Sequence, residues 1–383
     1  MTAALPPLDE GLLARRLLTD AGGAYSRIQR MDSVGSTNQW LTQALTAEAT
    51  EQRGTAWPHL SVLTVEEQTS GRGRLGRAWS SPKGASLSSS IVLRPQLDPA
   101  HLGWLSMLAG RALVDTLRQD CGLDAEGQRA ILKWPNDVQV TQAEGPAKKI
   151  SGILAAAVSP ASSATAARSV APGSSAIPLG PVSTGARAAV TSAGSTGPRR
   201  TGPGAVVLGV GINVLLTPEQ LPIENSTSVL IELRRRAAHG PRGPQGAGLE
   251  ASSAQSSSPQ SSSLELGSSE LGPLRTELLC SFLERFAALL HCVESAAERD
   301  PETVPQLLIA QVSEVLATLG QQVRVELPDG SAQRGVAVGL TPLGALQVEV
   351  TDRRAAPELE WTPVMPALAA FSAGDVTHLR PTP

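Results

Sequence analysis

Positive charge and glycine are concentrated in one short stretch of this chain. Residues 71–77 read Gly-Arg-Gly-Arg-Leu-Gly-Arg, so three arginines and three glycines share seven positions. Arginine carries a permanent charge and a planar set of N–H donors, and glycine lets the backbone fold closely around a ligand. The stretch is therefore predicted to bind an anion, either a small acid or a polyanion.

Lysine is rare in this chain and is placed selectively. Three of the four lysines lie in two segments, residues 133–137 (Lys-Trp-Pro-Asn-Asp) and residues 148–154 (Lys-Lys-Ile-Ser-Gly-Ile-Leu). Because the other cations are nearly all arginine, this placement indicates a requirement for a compact ammonium group in both segments.

Composition excludes several classes of protein. The net charge of −3 over 383 residues gives no global reason to bind nucleic acid, so any basic function must be local. Three cysteines without the spacing of metal ligands favour a reduced, cytoplasmic protein. The N-terminus lacks a basic segment before an apolar run, and the apolar residues 205–216 are too few to cross a bilayer. We expect neither secretion nor membrane insertion.

Five short motifs follow one another along the chain. They are Ser36-Thr37-Asn38, residues 68–74, residues 133–137, residues 149–154 and residues 209–213. In this order they resemble the biotin protein ligases, which attach biotin to biotin carboxyl carrier domains. The resemblance extends over roughly residues 30–380 with two interruptions. It implies an α+β fold, with a mixed-sheet catalytic domain of the biotin/lipoate ligase (class II synthetase-like) type and a small C-terminal Src-homology-3-like β-barrel.

The hydrophobic patterns agree with that organisation. Residues 1–24 are expected to form a short helix and extension, residues 25–318 the catalytic domain and residues 319–383 the barrel. Helices are predicted over residues 8–19, 102–119, 275–295 and 302–318, and strands over residues 62–65 and 87–93, with a period of two from residue 322 onward. The N-terminal extension is too short for a helix-turn-helix with its wing, so we expect no DNA-binding domain.

Two segments depart from the globular pattern. Residues 159–204 and 237–272 are rich in Ser, Gly, Ala and Pro and poor in large apolar side chains. Such segments bury too little apolar surface to offset the entropy of the chain, so they are predicted to be low-complexity insertions. The first insertion separates the apolar residues 153–154 from residues 206–208, two strands that resemble paired neighbours in the sheet of the family. A long insertion between paired strands costs little, because loop-closure entropy grows slowly with loop length.

The resemblance implies a reaction in two steps. Biotin carboxylate attacks the α-phosphate of ATP, with Mg2+, giving biotinyl-5′-adenylate and pyrophosphate, and a lysine of the carrier then attacks the acyl group. The implied biotin contacts are Ser36, Thr37, Asn38, Gln68, Gly71, Arg72, Gly73, Arg74, Lys149 and Gly152. The implied ATP and adenylate contacts are Arg72, Arg74, Trp79, Lys133, Asn136, Lys149 and Asn213. The residues expected to take part in catalysis are Arg72, Lys149, Asp137 and Lys133.

Side-chain chemistry gives these roles a physical basis. Lys149 is expected to hold first the carboxylate and then the phosphate as negative charge develops. A carrier lysine with a pKa of about 10.4 must lose a proton to become nucleophilic. Asp137 is the candidate to orient that lysine or to accept its proton. Asn136 or Asp137 could assist Mg2+. Residues 222–229 contain no aromatic side chain, whereas some family members stack one over adenine shortly after the 209–213 motif.

Several of these features have simpler explanations. Ser36 is a good N-cap for the following helix, and Asp137 could be a turn residue. Gly71, Gly73 and Gly76 match a dinucleotide-binding fingerprint, which requires a following helix. An arginine- and glycine-rich segment can also bind RNA.

The expected partners are a biotin carboxyl carrier protein, such as that of acetyl-CoA carboxylase, with biotin and ATP as substrates, and the resemblance also allows a homodimer. A lipoate ligase of similar fold is the alternative enzyme.

Overall fold

The computed structural model describes residues 5–51, 56–158, 204–238, 268–327, 329–372 and 375–378. Most of the two predicted insertions lies outside these residues. Among the described residues, no helix combines the length and the apolar character that crossing a bilayer requires.

Helices and strands are interspersed up to Ser313, and the described residues from Gln322 onward contain strands. The α-helices of the described residues are α1 (Glu10–Leu17), α2 (Thr37–Glu51), α3 (Leu105–Gln119), α4 (Val229–Ala238), α5 (Ser268–Arg299) and α6 (Val304–Ser313). The first ten strands are β1 (Arg27–Val34), β2 (Ser61–Gln68), β3 (Gly71–Arg72), β4 (Ala78–Trp79), β5 (Ser86–Leu93), β6 (Asp124–Ala125), β7 (Gln128–Lys133), β8 (Asp137–Val140), β9 (Lys148–Val158) and β10 (Ala205–Asn213). The last five are β11 (Gln322–Glu326), β12 (Ala332–Leu340), β13 (Leu346–Arg354), β14 (Thr362–Phe371) and β15 (Asp375–His378).

The larger part of the described structure is built on an eight-stranded mixed sheet. Its strand order is β1-β2-β5-β10-β9-β8-β7-β6. Strands β1 and β2 are parallel, and every other neighbouring pair is antiparallel. The mixed sheet and its helices confirm the predicted α+β class.

Alternating side chains give the sheet two apolar faces. On β10, Leu208, Val210 and Ile212 belong to the larger core cluster, which also contains residues of α3, α5 and α6. Val207, which precedes Leu208 and points to the other face, belongs to a smaller cluster with Leu41 and Leu45 of α2. The β9–β10 pair therefore lies between two layers of helix, which holds the strands that carry the lysine and glycine motifs.

The N-terminal segment is fastened to the core by a buried ion pair. Arg275 Nη2 of α5 lies 2.7 Å from Glu66 Oε2 of β2, with 1% and 3% of their side chains exposed. Glu66 Oε1 accepts a hydrogen bond from the Leu8 N–H at 2.8 Å. The predicted helix over residues 8–19 is shorter in the structure, because Asp9 caps it at the start and Leu18 is already extended.

The C-terminal strands form a five-stranded sheet in the order β14-β13-β12-β11-β15, and every neighbouring pair is antiparallel. Among the described residues β14 and β15 stay at its two edges, so the strand pairing does not close the predicted barrel. Strand β14 was not predicted from the sequence. It contains Pro363 and Pro366, which an edge strand tolerates because one side of its backbone needs no ladder hydrogen bonds.

Two tryptophans connect the part that contains the eight-stranded sheet to the turn between β12 and β13. The Trp104 indole N–H donates to Pro342 O at 3.0 Å, and the Trp134 indole N–H donates to Gly344 O at 3.1 Å. Trp134 also donates its backbone N–H to the buried Thr318 hydroxyl at 3.0 Å. The tryptophan of the Lys-Trp-Pro-Asn-Asp motif is thus hydrogen-bonded to the turn between β12 and β13.

Helix boundaries near the second insertion also differ from the prediction. Residues 237 and 238 end α4, and residues 268–272 begin α5, so both edges of the predicted insertion are helical. The helix predicted over residues 302–318 ends at Ser313, and residues 315–317 instead form hydrogen bonds with Leu132 of β7. Tertiary pairing with β7 therefore outweighs the helical pattern of this segment.

Candidate active site

A cavity of about 420 Å3 opens over the centre of the eight-stranded sheet. The residues from the predicted biotin and ATP contacts that line it are Ser36, Thr37, Asn38, Gln68, Arg72, Gly73, Arg74, Trp79, Lys133, Asn136, Lys149, Gly152 and Asn213, together with Asp137. Gly71 is the predicted residue that does not line it. Segments separated by more than a hundred residues in sequence are thus brought to one site.

Gly71 serves the hairpin that carries the arginines. It pairs with Trp79 between β3 and β4, and a Cβ at this position would lie 2.4 Å from the Trp79 carbonyl oxygen. The segment after Gly76 is strand β4 and not a helix, so the dinucleotide-fingerprint interpretation is wrong. The arginine stretch is a short two-stranded hairpin at the wall of the cavity.

Two glycines directly opposite each other form a flat surface for an indole ring. Gly152 of β9 pairs with Gly211 of β10. A Cβ on Gly211 would lie 2.5 Å from Trp79 Cε2, and a Cβ on Gly152 would lie 3.3 Å from Trp79 Cζ3. The Trp79 indole N–H is buried and has no hydrogen-bond partner among the described residues. It is a donor available to a ligand in the cavity.

An uncharged polar network forms part of the cavity lining. The Gln68 side-chain oxygen accepts hydrogen bonds from the Thr37 N–H at 2.8 Å and the Thr37 hydroxyl at 3.1 Å. The Asn38 amide donates to Leu154 O at 2.9 Å, and Ser90 Oγ lies 2.6 Å from Asn38 Oδ1. Thr37 and Asn38 stand at the start of α2 and Gln68 ends β2, whereas Ser90 lies in β5.

Two further residues explain how this network fits. Gly209 of β10 leaves room for Asn38, because a Cβ there would lie 2.3 Å from Asn38 Oδ1. Ser36 precedes α2, and its hydroxyl oxygen lies 3.5 Å from the Gln39 N–H as a long capping contact. Ser36 therefore occupies the N-cap position and lines the cavity as well.

The Lys-Trp-Pro-Asn-Asp motif forms a tight turn between two strands. Lys133 ends β7 and pairs with Asp137, which begins β8. The Asn136 amide donates to Ile153 O at 2.6 Å, and its oxygen accepts from Arg74 Nη1 at 3.1 Å. Asn136 thus connects the arginine hairpin to β9.

Lys149 and Asp137, predicted to act in different steps, form an ion pair. The Lys149 Nζ atom lies 2.6 Å from Asp137 Oδ1, with 25% and 22% of the two side chains exposed. A Cβ on Gly152 would lie 3.3 Å from both Cε and Nζ of Lys149. The spacing Lys-x-x-Gly therefore lets the lysine side chain fold back across its own strand toward Asp137.

Asn213 is more enclosed than the prediction of an adenine contact implied. It is 2% exposed, and its amide donates to Thr227 O at 3.1 Å. It connects β10 to residues 222–228, of which Pro222, Ile223 and Ser226 line the cavity. Ile223 is an exposed apolar residue of this wall, which contains no aromatic side chain.

Sequence reasoning did not single out some of the lining residues. They are Arg77, Ala78, Ser89, Trp134, Pro135, Ile153, Leu154, Gly209, Val210, Gly211, Pro222, Ile223 and Ser226. Several lie inside recognised motifs, but without the strand pairing nothing in the sequence shows which side chains point inward. Five cationic side chains and one carboxylate, Asp137, line the cavity. Among the described residues, no three His, Cys, Asp or Glu side chains cluster as metal ligands would.

Comparison with known proteins gives consistent results. The "Biotin/lipoate A/B protein ligase family" matches residues 34–170, and the "Biotin protein ligase C terminal domain" matches residues 318–379. A biotin--[acetyl-CoA-carboxylase] ligase of Mycobacterium tuberculosis is 27% identical over 376 residues, which are 98% of this chain and 97% of that protein. A biotin--[acetyl-CoA-carboxylase] ligase of Paracoccus denitrificans is 40% identical over 101 residues, covering 26% of this chain and 36% of that protein.

A solved structure shares the fold. The biotin protein ligase from Aquifex aeolicus, in complex with biotin and ATP, superimposes with a TM-score of 0.52 at 18% identity, covering 93% of this chain and 100% of that chain. The two family matches, the full-length relative and this shared architecture agree with the ordered motifs. The chain belongs to the biotin protein ligase family.

Proposed function

We propose that this protein attaches biotin to a lysine of a carrier domain in an ATP-dependent reaction that passes through biotinyl-5′-adenylate. One observation carries the proposal. The same cavity is lined by the uncharged polar side chains of Thr37, Asn38 and Gln68 and by cationic side chains that include Arg72 and Lys149. Biotin has the matching chemistry, because its ureido ring is polar and uncharged and its valerate chain ends in a carboxylate.

In the first step two anions must be brought together. The carboxylate of biotin and the α-phosphate of ATP repel each other, and the cations of the lining offset this repulsion and stabilise the charge that develops in the transition state. Arg72 and Lys149 both line the cavity, and we propose that they hold the carboxylate and the phosphate. Arg74 contributes by fixing Asn136, which it contacts at 3.1 Å.

In the second step the amine of the carrier lysine attacks the acyl carbon and AMP leaves. The amine must first lose a proton, and Asp137 is the carboxylate of the cavity lining. Asp137 is paired with Lys149, so movement of the lysine toward the phosphate during adenylate formation would release the carboxylate. The pairing thus supports a fixed order in which Asp137 becomes available after adenylation.

Mg2+ fits this site as a companion of the nucleotide. The oxygen donors of the motif are the Asp137 carboxylate and the Asn136 amide, and the amide oxygen already accepts from Arg74. One carboxylate with substrate phosphates is an ordinary setting for Mg2+, which would neutralise charge on the triphosphate. Because the Asp137 carboxylate is likewise paired with Lys149, we propose that the substrate phosphates would supply most of the ligands of the ion.

The proposed partner is a biotin carboxyl carrier domain, for which the acetyl-CoA carboxylase named for two relatives is the first candidate. All three cysteines of the chain are free thiols. We propose that the enzyme works in a reducing compartment, the cytoplasm.

Biotin-dependent exchange of labelled pyrophosphate into ATP tests the proposal without a carrier. Exchange with biotin and not with lipoate is the expected result. Exchange with lipoate alone would show a lipoate ligase instead. A folded protein that exchanges with neither acid, and that binds single-stranded RNA in a salt-dependent manner, would show that the arginine hairpin serves RNA binding.

A further inference from the structure

A carboxylate lies buried behind the cavity wall and takes no direct part in the proposed chemistry. Glu232 of α4 is fully buried and does not line the cavity. Its side chain accepts hydrogen bonds from the Thr227 hydroxyl at 2.7 Å, from Gln128 Nε2 at 3.0 Å and from Arg235 Nη1 at 2.8 Å. Burying a carboxylate in the core costs free energy unless hydrogen-bond donors of this kind surround it. The presence of three such donors therefore calls for a functional explanation of Glu232.

Thr227, which Glu232 holds, belongs to a segment that pairs with Lys149. The Lys149 N–H donates to Asn225 O at 2.9 Å, and the Thr227 N–H donates to Lys149 O at 2.8 Å. These two bonds bracket Lys149 in a parallel bridge with Ser226. Both peptide groups that flank the lysine side chain are therefore fixed by residues 225–227.

On the edge of β9 that faces β10, this bridge gives Lys149 a partner that the strand ladder does not supply. The ladder between β9 and β10 begins at Ser151, so Lys149 lies beyond its end. On the other edge of β9, the ladder with β8 is irregular between Val138 and Gln139, next to the position paired with Lys149. The lysine backbone thus depends on residues 225–227 for regular pairing on one edge.

We infer that Glu232 is a positioning residue for Lys149, acting through the Thr227 hydroxyl and the parallel bridge. The inference rests on the proposed function, because Lys149 is the cation that receives the carboxylate and the phosphate. Its Nζ atom must hold a set position between Asp137 and the ligand, and catalysis is sensitive to displacements of about 1 Å. Glu232 would thus set the geometry of a reaction that it does not touch.

Thr227→Val removes the hydroxyl while keeping the shape of the side chain. In biotin-dependent pyrophosphate exchange we expect kcat to fall about tenfold or more, with the KM for biotin nearly unchanged because the uncharged lining of Thr37, Asn38 and Gln68 is untouched. Thr227→Ser should restore the wild-type rate. Thr116→Val is the matched control, since Thr116 is also fully buried and lies on α3 outside the cavity. Equal kcat values for Thr227→Val and wild type would overturn the inference.

A double-mutant cycle separates positioning from general stability. The affinity of a non-hydrolysable biotinyl-adenylate analogue is measured by calorimetry for wild type, Thr227→Val, Lys149→Ala and the double variant. If Glu232 acts through Lys149, Thr227→Val weakens binding in the wild-type background and changes nothing further once Lys149 is absent. Equal losses in both backgrounds would contradict the inference.

Two further measurements keep the test decisive. If Thr227→Val does not fold, Gln128→Met removes a different donor to Glu232 and should shift the same parameters in the same direction, by a smaller factor. An unchanged kcat for a folded Gln128→Met protein would then count against the inference. Wild-type protein that shows no biotin-dependent exchange would refute the proposed function itself, a result distinct from any difference between variants.

Discussion

The Nζ atom of Lys149 and the Oδ1 atom of Asp137 lie 2.6 Å apart, on adjacent antiparallel strands of the central sheet. In the strand register Asp137 faces Gly152, not Lys149, so the contact exists because the lysine side chain crosses the space that Gly152 leaves. Two groups that the sequence suggests for different steps therefore form one ion pair. In the proposed mechanism this pair would link adenylation to the activation of the carrier lysine.

Asp137→Asn should separate the two half-reactions. The amide cannot accept the proton of the carrier lysine, so transfer of biotin from preformed adenylate should slow about a hundredfold, within the usual range for general-base catalysis. Adenylate formation should continue, since Lys149 keeps its charge. Single-turnover assays of each step give the measurement, with Lys149→Ala as the opposite case, in which adenylation itself fails. A parallel loss of both steps in Asp137→Asn would contradict this assignment.

Arg72→Ala should let the adenylate escape. Arg72 is exposed on the hairpin at the cavity wall, where it can close over bound adenylate. Loss of its guanidinium should increase labelling of unrelated lysines in a bystander protein several-fold, and this is measured by streptavidin blotting. Arg353→Ala, an exposed arginine outside the cavity, is the matched control. Unchanged retention of adenylate by Arg72→Ala would refute the role of the hairpin.

Gly211→Ala should disturb the surface on which Trp79 lies. The added Cβ would lie 2.5 Å from the indole ring, so the ring must move away from β10. We expect the affinity for a biotinyl-adenylate analogue to fall at least about tenfold, because the cavity changes shape and the indole N–H is displaced. Gly103→Ala, whose Cβ would meet its nearest neighbour at 3.8 Å, should bind the analogue normally.

Acid should destabilise the protein partly through His378. Burial, with a further contribution from the charge of Lys133, lowers the pKa of His378 to about 4, against about 6.5 in the unfolded chain. The native state therefore binds fewer protons between these values. The stabilisation is complete above about pH 6.5 and is lost as the pH falls toward about 4.

Urea unfolding between pH 4.5 and 7.5 measures this contribution. His378→Gln should lose less stability on acidification than wild type, with a difference in slope of at most about 1.4 kcal/mol per pH unit. Burial also lowers the pKa of His59, but His59 is present in both proteins and cancels in the comparison. Identical slopes would show that His378 contributes nothing to the acid sensitivity.

The buried pair of Glu66 and Arg275 should be important for stability. Glu66→Gln leaves the Arg275 guanidinium in the core without its carboxylate, and such changes typically cost about 3–5 kcal/mol. Glu326→Gln disrupts the more exposed pair with Arg324, 3.0 Å apart, and should cost less than about 1 kcal/mol. Equilibrium unfolding compares the two variants. Equal costs would show that the buried pair does not fasten the N-terminal segment.

Much of the fold and of the residue set was predictable from local pattern. The amphipathic period of α3 and the apolar runs of β2 and β5 lie in single stretches of chain, so composition and spacing predict them. The ordered motifs likewise indicate the family, because the Gly-Arg-Gly-Arg and Lys-Trp-Pro-Asn-Asp stretches carry their chemistry in consecutive residues. By contrast, the sequence did not predict β14, because its prolines disfavour a strand. It also did not predict the helical edges of the second insertion, because their composition is that of a low-complexity segment.

The sequence by itself therefore determined which residues are the candidates for the chemistry, and the tertiary structure alone decided how they are connected. That Lys149 pairs with Asp137, that Gly152 and Gly211 together support Trp79, and that Glu232 holds the segment beside Lys149 are relationships between residues far apart along the chain. No local period encodes them, because they depend on strand register and on which side chains are enclosed when the sheet and helices pack. Gly71 shows the same limit: its place in the arginine motif suggested a ligand contact, and strand pairing assigned it to the hairpin backbone.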